Sequence, residues 1–270
     1  MDFEALNVTL ELDGQLAVIR FEHGKANEVG TDVLRDLEKL PGWFQDQGVV
    51  AAITYSERTS SRGTPIFVAG ANVSERVGWD DARVKQHVAW QRAVLLALRA
   101  APVFHVAVVN GVALGWGTEY MLCCDWRIAA STASFGLPET GLGILPGAGG
   151  TADLWAHIGV AQTLRLGMTG ERIGAEEAVR IGLVQEQAAD VPAGLERARA
   201  LALAVTKKSP TALAAFKRAV LDNVGRPPAD RIAREEAAYG QCVDAGEAAI
   251  GRAAFAAIRQ GERPEWGPRQ

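Results

Sequence analysis

Cysteine is scarce in this chain of 270 residues, and so are aromatic residues and net charge. The three cysteines form no disulfide framework, because Cys123 and Cys124 are adjacent and Cys242 is remote. No C-x-x-C or H-E-x-x-H spacing occurs, and His23, His87, His105 and His157 show no metal-like spacing, so no metal site is expected. The thiols are expected to be buried, reduced small hydrophobes in a reducing compartment. Lys and Arg number 28 against 32 Asp and Glu, which leaves no basic field. With aromatics at 7% and no basic patch among them, a nucleic-acid platform is not expected. The most apolar stretch, residues 93–116, is broken by Arg99, His105 and Asn110, so no membrane span is expected. The acidic start, Met1-Asp2-Phe3-Glu4, lacks the basic and apolar regions of a secretory signal, and the expected location is cytoplasmic. What remains is an ordinary globular composition, 48% hydrophobic and 22% charged, which excludes a disordered chain.

Periodicity divides the chain in two. Residues 7–13 alternate, Asp13-Gly14 turns, and residues 16–21 run apolar, which predicts a β-hairpin. Residues 32–40 have helical spacing, with Pro41 expected to end or bend the helix. Strands are predicted over 49–55 and 103–109, and shorter ones over 126–129, 134–136 and 182–185. A long helix is predicted over 80–101, with Val84, Val88, Gln91, Leu95 and Leu98 near one stripe. Residues 111–117 are expected to form a glycine-rich turn, followed by a helix from Trp116 or Gly117 to Cys123. Beyond Thr151 helical patterns dominate, over 192–205, 210–223, 229–241 and 246–258. The pattern predicts an α/β core followed by a helical C-terminal part, divided here as residues 1–195 and 196–270. No fixed-period repeat is legible in the residues.

Chemistry is sparse on a residue-by-residue reading. The glycine-rich run 141–151 lacks both the P-loop and the dinucleotide spacing, and is expected to be a turn with Thr151 capping a helix. No G-x-S-x-G is present. His105, inside an apolar strand, is expected to be a satisfied core residue. Two glutamates stand out: Glu119 follows Gly115-Trp-Gly-Thr at a helix start, and Glu139 follows Pro138 in a loop after a strand. Both lie at strand exits beside glycine, where backbone approaches ligands closely. Position alone leaves surface carboxylate or helix cap as the alternative role for each.

Longer motifs carry a resemblance. Residues 67–75, F-V-A-G-A-N-V-S-E, resemble the F-C-A-G-A-D-[IL]-x-E signature of the enoyl-CoA hydratase/isomerase (crotonase) superfamily. Residues 109–119, V-N-G-V-A-L-G-W-G-T-E, are similar to its V-N-G-x-A-x-G-G-G-x-E segment. C-D-W-R-I-A at 124–129, F-G-L-P-E at 135–139, P-G-A-G-G-T at 146–151, K-A-N at 25–27 and the run 170–184 match further family segments in order. The resemblance covers nearly the whole chain. Two departures are plain: Trp116 stands where most relatives have glycine, and Asn72 replaces the usual Asp.

The resemblance implies a ββα superhelix with a C-terminal helical trimerisation region, assembled as a homotrimer or a dimer of trimers. It implies an acyl-CoA thioester as substrate, with coenzyme A part of that substrate and no separate cofactor. Carried over by motif, the backbone N–H groups of Ala71 and Trp116 form an oxyanion hole. Glu119 and Glu139 are the catalytic pair, and Lys25, Ala26, Ala69, Asn72, Val73 and Ser74 bind substrate. Retention of both glutamates implies syn hydration of a trans-2-enoyl-CoA, with Glu119 ionised as base and Glu139 supplying the α-proton. The alternatives are a Δ3-Δ2-enoyl-CoA isomerase or another acyl-CoA lyase of the same fold, and, in a different class, a non-catalytic or RNA-binding protein of that fold. The Trp116 indole is expected to reshape or shorten the acyl pocket, and Asn72 to keep a hydrogen-bonding loop role.

Overall fold

The computed structural model describes residues 3–269; Met1 and Asp2 of the acidic start, and Gln270, lie outside the described residues. The strands are β1 (Leu6–Glu11), β2 (Leu16–Phe21), β3 (Ala51–Ser56), β4 (Ile66–Val68), β5 (Phe104–Val109), β6 (Val112–Leu114), β7 (Trp126–Ala130), β8 (Ser134–Gly136), β9 (Ile173–Gly174) and β10 (Glu186–Ala188). The helices are α1 (Thr31–Asp46), α2 (Asp81–Ala100), α3 (Trp116–Cys123), α4 (Leu154–Thr169), α5 (Ala175–Arg180), α6 (Val191–Thr206), α7 (Pro210–Asn223), α8 (Pro228–Asp244), α9 (Glu247–Ala253) and α10 (Phe255–Arg259).

Two sheets result, ordered β1-β2-β3-β5-β7-β10 and β4-β6-β8-β9. The pairs β3/β4, β5/β6 and β7/β8 each send their first strand to the large sheet and their second to the small one. A helix follows each pair (α2, α3 and α4), so the backbone winds through three ββα turns. Within both sheets these strands run parallel. Parallel strands buried on both faces need near-continuous apolar runs, which β3 and β5 have. The hairpin β1/β2 is antiparallel, with Leu12, Asp13 and Gly14 of its turn all at positive φ.

One core fills the space between the sheets and includes Phe21, Phe67, Trp116, Tyr120 and Phe135. A second lies on the other face of the large sheet, where Leu195, Ala198 and Ala202 of α6 cover Val18, Ile53, Val106 and Ile128. The junction at 195/196 therefore falls within α6. Beyond it the burial changes: α8 buries no residue, and Phe216, Val220, Val224, Ile232, Tyr239 and Phe255 are exposed. Among the described residues no helix is long and apolar enough to cross a membrane.

Several elements differ from expectation, each for a physical reason. α1 continues through Pro41 to Asp46. Proline costs about 3 kcal/mol inside a helix, but the stripe of Leu37, Leu40 and Phe44 is fully buried and carries the helix onward. The expected turn over 111–117 contains β6, which is too short to show a period of its own and is held by pairing with β4 and β8. Residues 182–185 form a turn rather than a strand; Leu183 and Val184 are apolar because they fill the core, and the strand begins at Glu186. Such a short apolar run cannot distinguish the two cases. Asp153, not Thr151, occupies the N-cap position of α4. The helix over 246–258 is broken at Ala254 into α9 and α10.

Candidate active site

The first turn of α3 is pinned by backbone geometry. Gly115 sits at φ 52°, ψ −118°, which favours glycine, and a β-carbon there would strike the Glu139 carboxyl. A β-carbon on Gly117 would collide with the Val68 carbonyl, so α3 packs directly on β4. Gly115 N–H donates to the Gly136 carbonyl at 2.9 Å. Thr118 Oγ1 donates to the carbonyls of Ala113 at 2.8 Å and Gly136 at 3.1 Å. All eight residues of α3 are buried, including Glu119 at 4% exposure.

Burying a carboxyl requires partners. Glu119 Oε1 accepts N–H bonds from Ala148 at 2.7 Å and Gly150 at 2.8 Å. The glycine-rich run, expected to be a simple turn, is thus a cradle for a carboxylate of its own chain. Arg92 holds that loop, with Nε and Nη2 donating to the Gly147 carbonyl at 2.9 and 2.7 Å. Burial raises the Glu119 pKa above its ordinary value, while the N–H groups of Gly150 and Ala148 and the Arg92 charge oppose the shift.

Glu139 lies in the short 3-10 turn Pro138–Leu142 that follows β8. Burial raises its carboxyl to about 7; its own backbone N–H opposes this, and the Glu119 charge adds to it. Its Oε2 is shielded and has no hydrogen-bond partner among the described residues. Glu119 and Glu139 line one cavity of about 180 Å³. Two carboxyls with raised pKa values in a shared cleft are the pattern expected of acid–base chemistry.

Ala71 and Trp116 line the same cavity. Val29 N–H donates to Gly70 O and Asn72 N–H to Val29 O, both at 2.9 Å, which fixes the backbone on either side of Ala71. Among the described residues, neither Ala71 N–H nor Trp116 N–H donates a hydrogen bond. For Trp116 the reason is general, since the first N–H groups of a helix have no intrahelical acceptor. The Trp116 indole is 2% exposed and stacks on Tyr120 with centroids 5.5 Å apart. Its Nε1 has no hydrogen-bond partner among the described residues.

Of the other expected substrate-binding residues, Ala69 and Val73 line the cavity, whereas Lys25, Ala26, Asn72 and Ser74 do not. The Ala26 carbonyl accepts from Ala69 N–H at 3.1 Å. Asn72 Oδ1 caps the 3-10 turn Val73–Arg76 through the N–H groups of Ser74 and Glu75, the loop role expected of it. Asn27, at φ 52°, is a buried hub: its Nδ2 donates to Ser56 Oγ at 2.9 Å and to the Phe67 carbonyl at 2.8 Å. His105 is fully buried, with Nε2 paired to Thr54 Oγ1 at 2.6 Å and Nδ1 unpartnered. Burial lowers its pKa to about 3, so it is a neutral core residue, half satisfied. Arg76 and Arg92 escaped notice in the sequence because no motif carries them.

A model of the enoyl-CoA hydratase/isomerase family matches residues 15–267. The chain belongs to this family. The short-chain-enoyl-CoA hydratase of Clostridium acetobutylicum is 33% identical over 240 residues, covering 88% of this chain and 90% of that protein. The crotonyl-CoA hydratase of Syntrophomonas wolfei is 36% identical over 181 residues, covering 67% of this chain and 68% of its own. The crystal structure of an enoyl-CoA hydratase from Bacillus anthracis superposes with a TM-score of 0.87 at 30% identity, covering 97% of this chain and 99% of that one. The fold is the family's α/β crotonase fold with a helical C-terminal region, and the chain is an enzyme of enoyl-CoA hydratase type.

Proposed function

We propose that this enzyme adds water in syn fashion to a trans-2-enoyl-CoA, giving a 3-hydroxyacyl-CoA. The observation that carries the reading is one cavity holding two raised glutamates beside two unengaged backbone N–H groups. In this reading the N–H groups of Ala71 and Trp116 donate to the thioester carbonyl oxygen. As the water oxygen bonds to the β-carbon, the π pair of the carbon–carbon double bond shifts between the α-carbon and the carbonyl carbon, and the carbonyl π pair moves onto the thioester oxygen, which forms an enolate. Pre-aimed donors stabilise the enolate without reorganising, each by about 2.7–4 kcal/mol. The N-terminal dipole of α3 adds positive potential there. Glu119, whose Oε1 is steadied by two N–H bonds, takes the proton from water. Glu139, carrying a proton near neutral pH, delivers it to the α-carbon as the enolate collapses. Proton transfer from Glu119 back to Glu139 through the cavity resets the pair.

The substrate carries coenzyme A with it, and the proposed reaction uses no separate cofactor. Lys25, Ala26, Asn72 and Ser74, outside the acyl cavity, are assigned to the coenzyme A portion. The exposed apolar residues of α7 and α8 support a homotrimer or a dimer of trimers, which a native mass measurement tests. Free Cys123, Cys124 and Cys242 suit the reducing cytoplasm. The mechanism is tested with Glu119→Gln and Glu139→Gln on crotonyl-CoA, following loss of the conjugated thioester absorbance. Each variant is expected to lose about 10²–10⁴-fold in kcat. Near-wild-type turnover in either, or faster turnover of a 3-enoyl-CoA than of its 2-enoyl isomer, defeats the proposal.

A further inference from the structure

The cavity is not lined as a plain alkyl pocket would be. Val88, Leu114, Leu142 and Ile144 give it apolar walls, but Arg76, Gln91 and Trp116 share the lining. Arg76 Nε and Nη2, Gln91 Nε2 and Trp116 Nε1 are all shielded from solvent and have no hydrogen-bond partner among the described residues. Gln91 is 3% exposed and Trp116 2%. Leaving a buried donor unpaired costs about 1–3 kcal/mol, and more for a charged group. An alkyl chain against these groups would seal that cost in. An acceptor brought by the substrate would remove it.

The arrangement on Arg76 narrows the choice of acceptor. Nε and Nη2 form one edge of the guanidinium, the fork that takes both oxygens of a carboxylate. The same edge holds carboxylates twice elsewhere in this protein. Arg197 Nε and Nη2 donate to Glu186 at 2.7 and 2.9 Å, and Arg199 does the same to Glu11 at 2.8 and 2.9 Å. At Arg76 the fork is vacant. The adjacent carboxylate, Glu75, does not fill the fork: its Oε2 accepts Thr31 N–H at 3.0 Å, its Oε1, 3.3 Å from His87 Nε2, makes no hydrogen bond among the described residues, and only its charge acts on Arg76.

We propose that Arg76, assisted by Gln91 and Trp116, recognises a carboxylate at the far end of the acyl chain, so that the preferred substrate is a short 2-enoyl-CoA whose acyl group ends in a carboxylate. This rests on the hydratase reading above. Size fits the assignment. A protein cavity of about 150 Å³ takes a benzene-sized guest, so 180 Å³ leaves room for a short carboxylated chain. Arg76 is here a specificity-determining residue and takes no part in moving protons.

The test compares crotonyl-CoA with trans-4-carboxybut-2-enoyl-CoA in the wild type, Arg76→Met and Arg76→Lys. The wild-type kcat/KM is expected to favour the carboxylated substrate by about tenfold or more. Arg76→Met should reduce that ratio at least about tenfold, chiefly through KM, and Arg76→Lys should keep part of it because the charge remains but the fork is lost. Calorimetry with the saturated analogues, 4-carboxybutanoyl-CoA and butanoyl-CoA, reads the same preference without turnover. Loss of hydration of both enoyl substrates, with an Arg76-dependent preference among the saturated ones, defeats the hydratase reading and upholds this inference. Hydration without a preference for the carboxylate, or an unchanged ratio in Arg76→Met, overturns the inference alone. An equal loss on both substrates also overturns it, because Arg76 would then serve the coenzyme A portion they share.

Discussion

A carboxyl raised to about 7 is half protonated at neutral pH, and this makes the role of Glu139 measurable. If Glu139 delivers the α-proton, kcat/KM follows its protonated fraction. A group titrating near 7 is about 91% protonated at pH 6 and about 9% at pH 8, so kcat/KM should fall about tenfold between them. The assay is the loss of enoyl-thioester absorbance on a short 2-enoyl-CoA from pH 5.5 to 8.5. Because the Glu119 charge raises the Glu139 carboxyl, Glu119→Gln should move the Glu139 midpoint to lower pH, which a carboxyl NMR titration reads even when turnover is lost. Stability must carry the same signature. The unfolded carboxyl titrates near its ordinary value of 4.5 and the folded one near 7, so the folded state holds the proton more tightly. Its stabilisation is complete below pH 4.5 and is lost as pH rises to about 7. Glu139→Gln should therefore gain on the wild type across that window. Since Glu139 is partly exposed, screening limits the gain to about 1–3 °C in Tm. A kcat/KM that is flat or rises from pH 6 to 8 would refute the assignment of Glu139 as the acid.

Three further outcomes follow from contacts of the site. Trp116→Gly keeps the proposed backbone donor but removes an indole stacked on Tyr120; it should cost about 3–5 kcal/mol of stability and move the kcat/KM profile toward longer acyl chains, and an unchanged profile would count against an indole wall. Arg92→Met leaves the Gly147 carbonyl without its donors; kcat should fall about tenfold, and the acid limb of the pH profile should move to higher pH as Glu119 loses a nearby positive charge. Gly117→Ala drives a methyl group into the Val68 carbonyl and should cost about 1–3 kcal/mol, read as a lower denaturation midpoint with the hairpin β1/β2 intact.

Local rules were enough for elements whose signals are long. The hairpin β1/β2 and helices α2 and α7 lie where alternation and helical periodicity put them, and in the structure Asp80 and Ser209 cap the two helices. They were not enough for β6, three residues that become a strand only because β4 and β8 stand on either side. Nor did they stop α1 correctly: Pro41 is a local signal, and the burial of Phe44 that overrides it depends on the rest of the core. The glycine run 141–151 reads only as a turn, because glycine spacing says nothing about which distant group its N–H groups will meet. The ββα repeat is absent from the residues for a related reason, since only the backbone path repeats.

What the sequence by itself determined is the family and the α/β class, with Glu119 and Glu139 as its candidates for the chemistry, because long ordered motifs and strand-exit glycines are local and survive without coordinates. What only the tertiary structure decided is how those residues are equipped. Ala148 and Gly150 reach Glu119 across the chain, Arg92 holds the loop that carries them, and Glu139 is lifted to about 7 by burial beside Glu119. Arg76 is left with a vacant guanidinium edge at the same cavity. Burial, pairing and pKa belong to the distances between segments far apart in sequence, and those distances exist only once the two sheets have closed on one core.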